Sequence, residues 1–128
     1  MKQLFALIII MTFLSSCSES FQELDPKTFN EEITGRTDIK TPEDLVRVYY
    51  DYPEGEGSQP TITVENLQDN TFEITCILEG LEDDSQSGEK TILRAKLNGQ
   101  TWSLLQIKRN WKCWTGRGHT SWGTETCN

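Results

Sequence analysis

The stretch TILRAKLNGQTWSLLQIKRNWKC, residues 91–113, decides how this chain folds. Leu93, Ala95 and Leu97 alternate with Arg94 and Lys96, which is the period of a strand with one buried face. Asn98-Gly99 is a two-residue hairpin signal, since both residue types accept positive φ. A partner strand then runs from about Gln100 to Lys112. Along it the apolar parity slips, from Trp102 and Leu104 to Leu105 and Ile107. A slip of that kind predicts a β-bulge or a sheet buried on both faces.

Upstream the same period recurs. Phe72, Ile74, Cys76 and Leu78 alternate with Glu73 and Thr75, and Ile62 and Val64 alternate with Thr61, Thr63 and Glu65. Before these strands, TPEDLVRVYYDY (residues 41–52) changes to helical spacing. Thr41 is its cap, Pro42 its first position, and Glu43 and Asp44 put negative charge in the first turn. Leu45, Val48, Tyr49 and Tyr52 share one face, and Pro53 with the following EGEG ends the helix. One main helix packed on a four-stranded antiparallel sheet is an α+β layout. In element order it resembles the curled sheet of cystatin-like and nuclear-transport-factor-like domains, a likeness that implies no function.

The other end of the chain reads as an address. In MKQLFALIIIMTFLSSC, residues 1–17, Lys2 precedes an apolar run from Leu4 to Leu14 that only Thr12 interrupts. That run is shorter than the ~20 residues needed to cross a bilayer, and it ends in small residues as a secretory signal does. Leu14-Ser15-Ser16-Cys17 resembles the lipobox of bacterial lipoproteins. The resemblance implies a signal peptide of residues 1–16, a diacylglyceryl group on Cys17 and acylation of its new amino end. Several acyl chains hold a protein stably where one does not. By likeness to Gram-negative lipoproteins, Ser18 in place of Asp implies the outer membrane. Residues 17–40, polar and acidic, read as a lipidated spacer, and 41–128 as the single α+β domain.

The full chain has 12 basic and 20 acidic side chains. Loss of residues 1–16 removes Lys2 and leaves 112 residues with 11 basic against 20 acidic, a net charge of −9. Such a charge argues against nucleic acid and against adhesion to anionic lipid by charge alone. A domain of this size has a core that is hard to stabilise unaided.

That places weight on CWTGRGHTSWGTETC, Cys113 to Cys127. In an oxidising compartment disulfides persist. Cys113 and Cys127 enclose thirteen residues, a ring whose closure contributes about 3 kcal/mol in the chain-entropy description. Cys76 sits in a strand pattern and reads as a buried, unpaired thiol, although an odd cysteine keeps other pairings open. The stretch, with the turn GLEDDSQSG at residues 80–88, resembles a group of small exported bacterial proteins ending in C-x-x-G-R-G-H-x-x-W-x-x-x-x-C. The matching residues are Asp83, Asp84, Ser85, Cys113, Gly116, Arg117, Gly118, His119, Trp122 and Cys127. The likeness implies fold and disulfide, and no chemistry.

His119 is the single histidine, so a histidine cage for metal is excluded, and thiolates for a mixed zinc site are scarce where cysteines oxidise. No metal or cofactor is expected. His119 reads first as a backbone-bonded residue in a glycine-rich loop. Arg117 has the planar fork to bridge a carboxylate such as Asp84, tying loop to turn. Trp102 and Trp111 read as core, while Trp114 and Trp122 divide between core and contact surface. Candidate binding residues are therefore Arg117, His119, Trp114, Trp122 and Asp84. The expected function is a lipid-anchored envelope protein with a small binding or structural domain, meeting a protein or glycan through the loop. Two alternatives stand beside it: an inhibitor of a basic envelope enzyme such as lysozyme, and a small enzyme pairing His119 with a carboxylate of residues 82–84.

Overall fold

A computed structural model describes residues 18–51 and 59–128. Cys17 and its signal, Tyr52 and the helix-ending Pro53 lie outside the described residues. In chain order the elements are β1 (Gln22–Leu24), α1 (Lys27–Ile33), α2 (Pro42–Tyr50), β2 (Thr61–Asn66), β3 (Thr71–Glu79), β4 (Gln86–Asn98) and β5 (Thr101–Cys113). The strands form one sheet in the order β1-β5-β4-β3-β2, antiparallel throughout. The class is α+β, with five strands and two short helices where the sequence predicts four strands and one helix.

The hairpin of β4 and β5 forms where its alternation predicts, but its turn moves by one residue. Asn98 pairs with Thr101, so Gly99-Gln100 is the loop. Gly99 has φ 65°, and a glycine with positive φ at the first loop position suits a II′-type hairpin. The parity slip resolves as a bulge: Arg94 faces Gln106 and Ala95 faces Leu104, leaving Leu105 unpaired and 52% exposed. That one extra residue keeps Trp102, Leu104 and Ile107 all in the core.

Both missed elements lie in the segment read as a spacer, so that reading is corrected. β1 pairs Gln22 with Arg109 and Leu24 with Ile107. In α1, Phe29 and Ile33 stand four residues apart on one face and are both buried. Asn30 then acts as a strand residue would: its amide donates to Leu104 O (2.9 Å) and accepts from Leu104 N (2.7 Å). β1 stops opposite Ile107, which leaves the outer edge of β5 at Leu104 open for it. Ile39 is also buried, and its carbonyl accepts the Trp102 indole N–H. The domain therefore begins near residue 19, not at residue 41. A three-residue strand and a seven-residue helix show too few periods to stand out from a polar background.

Helix α2 starts as predicted, with Thr41 and Asp44 each satisfying the other's backbone N–H. Its buried face is centred one position away from expectation, on Leu45 and Val46. Tyr49 packs edge-on against Phe29, and Tyr50 reaches across to donate to the Thr91 hydroxyl. Among the described residues no helix is long and apolar enough to cross a membrane.

Candidate functional site

The last fifteen residues close against the open end of the β4–β5 hairpin. Cys113 and Cys127 are joined, with Cα atoms 5.6 Å apart. Cys76 is free and buried, and burial pushes its thiol up to about 12. Within the ring, Cys113 N donates to His119 O and Arg117 N to Trp114 O. Gly118, at φ 145°, lies where an added Cβ would come within 2.9 Å of Cys113 Sγ. Only a residue without a side chain lets the loop pass that close to the disulfide. Beyond it, Gly123 exchanges both backbone hydrogen bonds with Trp111 (2.9 and 3.0 Å). The tail thus continues, along the same edge of β5, the pairing that β1 begins.

His119 sits at the centre of this loop with both ring nitrogens engaged. Nδ1 lies 2.7 Å from Ser121 O and Nε2 2.9 Å from Glu125 O. Carbonyls only accept, so both bonds together require both ring protons. The Ser121 carbonyl, then that of Glu125, accordingly raise the pKa of His119 above its ordinary value. When it carries both protons, the ring is a two-armed clamp across its own loop.

Arg117 and Asp84 do not meet, contrary to expectation: the Arg117 guanidinium reaches the carbonyl of Asn128 at 3.4 Å. The tie to the turn runs instead through Trp114, whose backbone N–H donates to Ser85 O (2.8 Å) and whose indole donates to Asp83 O (2.9 Å). Asp83 in turn accepts from Ser85 and Gln86, which lowers its carboxyl below the usual range, Gln86 N–H contributing most. Trp114 remains 42% exposed despite both bonds. Trp111 is not a core residue; its indole holds Glu125 O and the Arg109 guanidinium lies over its ring. Trp102 is core, as expected.

Trp122 takes a position that no local pattern indicates. Lys90 and Lys112 Nζ lie 4.6 and 4.7 Å from its ring centroid, an arrangement favourable for a cation and a π face. Lys90 also pairs with Glu19 at 2.6 Å, and Lys112 with Glu79. Fully buried Asn110 donates to Ser20 O at 3.0 Å and to Glu19 Oε2 at 3.3 Å. Ser18, Ser20, Lys112, Thr120, Ser121 and Trp122 border an open cleft of about 590 Å³. The sequence reading missed Glu19, Lys90, Asn110 and Lys112. Lys90, Asn110 and Lys112 share the parity opposite to Leu93 and Ala95, a signal that means something only once the register sets Lys90 opposite Asn110; Glu19 carries no such signal.

As a metal site the loop offers little. The ligand atoms of Cys113, His119 and Cys127 lie within 4.8 Å of one another, but the disulfide consumes both thiolates that zinc would take and His119 points its nitrogens at carbonyls. No family model, no curated protein and no solved structure matches the chain.

Proposed function

We propose that this chain is a lipid-anchored protein of the bacterial cell envelope, held at the outer membrane through Cys17, whose small domain acts by contact and not by catalysis. The choice between those two modes rests on His119. An acid–base catalyst needs a ring nitrogen within reach of a substrate proton, and both nitrogens of this ring are spent on carbonyls of its own loop. The carboxylates of residues 82–84 belong to a turn that the loop meets through Trp114. With its clamp turned inward, the loop offers Trp114 and Arg117 as the side chains for an envelope protein or glycan. The anchor reading is supported by the residues themselves: Lys2, the apolar run to Leu14, and Leu14-Ser15-Ser16-Cys17. Metabolic labelling with an alkynyl fatty acid is expected to mark the full chain and to leave Cys17→Ser unmarked. A labelled Cys17→Ser chain overturns the anchor. Restored turnover of any substrate by wild type but not by His119→Ala would overturn the contact mode.

A further inference from the structure

Among the described residues the chain is bound to the domain from Glu19 onward. Ser18 borders the cleft beside Trp122. Glu19 is paired with Lys90, Ser20 is held by Asn110 and lies 3.3 Å from the Thr124 hydroxyl, and β1 begins at Gln22. No free linker remains between residue 18 and the fold. From these contacts we infer that the domain lies directly on the membrane that anchors it, with the Trp122 cleft facing the headgroup layer of the bilayer. The inference rests on the lipid-anchor reading and deepens it by naming what the cleft meets.

Covalent geometry sets the distance. Consecutive Cα atoms are ~3.8 Å apart, and a lipidated Cys17 is joined through its sulfur to a glyceryl group at the border of the hydrocarbon. The headgroup region on each side of a bilayer is about 5–8 Å thick. Residue 18 therefore falls within or just above that layer, and the side chains around it fall there too. Their chemistry suits the place: an indole, an ammonium and the hydroxyls of Ser18, Ser20, Thr120 and Ser121 accept a half-polar, half-apolar boundary, and the one carboxylate of the lining, Glu19, is neutralised by Lys90. The net acidic charge gives the rest of the molecule no general attraction to lipid, so the short connection to the anchor sets the orientation.

Full-length lipidated protein in vesicles of phosphatidylcholine and phosphatidylethanolamine tests this, with mass spectrometry reporting the lipid and dibrominated lipid acting as tryptophan quencher. Loss of emission is expected in the wild type, and a smaller loss in Trp122→Phe. A spacer of about ten Gly and Ser residues between Ser18 and Glu19, with a root-mean-square reach of about 17 Å, is expected to abolish the loss while keeping the lipid. A lipidated wild type quenched no more than the spacer variant overturns this inference and leaves the anchor standing. A chain without lipid overturns both.

Discussion

Near its turn, the β4–β5 hairpin packs Leu93, Ala95, Trp102, Leu104 and Ile107 beneath two helices; at its open end it carries Lys90, Asn110, Lys112 and a disulfide. The difference follows from length. Each strand has 13 residues, about 43 Å when extended. The helices have seven and nine, roughly 11 and 14 Å. Two such helices cannot roof the whole hairpin, so apolar burial supports one end and crosslinks support the other. At the open end the disulfide, the Gly123 bridge, the Trp114 and Trp111 indoles and the His119 clamp hold what no helix covers. The N-terminal strap of residues 18–24 crosses from one regime to the other, which is why a segment that looks like a spacer is part of the fold.

The strongest way to break the comparison is to cut into the roofed end from the segment that sequence assigns to a spacer. Ile33 is 1% exposed, so Ile33→Ala should cost about 2–5 kcal/mol of the global stability. Chemical denaturation of the soluble part measures this; a spacer residue would show no change. At the open end, replacing Cys113 and Cys127 together with Ser should cost about 3 kcal/mol through the unfolded chain. Intact-mass analysis without reductant should find Cys76 free in the wild type. Hydrogen exchange of the double variant should show opening first at Trp111, Cys113 and Gly123, with the core strands still protected. Smaller is the cap of α2: Thr41→Ala removes the side-chain acceptor for Asp44 N and should cost about 1 kcal/mol.

The smallest effects divide the two ends by pH. Asp44 is held below the ordinary carboxylate value, chiefly by the Lys40 N–H. Its contribution is present above the unfolded value of 3.8 and is lost as pH falls through the lower folded one. His119 has the opposite sign. Its pKa is raised, so its contribution is complete below the ordinary 6.5 and is lost as pH rises through the folded value. Melting temperatures followed from pH 5 to 9 should therefore fall slightly at the alkaline end in wild type, and this slope should vanish in His119→Ala. A wild-type slope retained by His119→Ala would remove the clamp from the account.

Much of the roofed end is legible in residues. The alternation in β2 to β5 places Ile62, Ile74, Cys76, Leu93 and Ala95 on the buried face, and the slip at Leu104-Leu105 foretells the bulge. Thr41-Pro42-Glu43-Asp44 marks the helix start, and the spacing of Cys113 and Cys127 marks a loop closed by the bond found there. These are signals between neighbours, where backbone period, capping and turn preference act over a few residues. A bridge from Arg117 to Asp84 and a core place for Trp111 both depend on a register that local pattern does not supply, and neither forms.

Local chemistry thus settles which segments are strands, where one helix begins, and which cysteines lie close enough in sequence to close a small ring. The assignment of β1 to the outer edge of β5, the seat of Trp122 between Lys90 and Lys112, and the grip of Asn110 on Ser20 join residues 10 to 90 positions apart. Each such contact depends on the sheet's strand order and on a register fixed by two bulged residues, Leu105 in β5 and Ser87 in β4, and by Gly99 at the turn. Shift that register by one, and every side chain of β5 changes face. That is why these contacts exist only in the assembled sheet, and why the spacer became a strap.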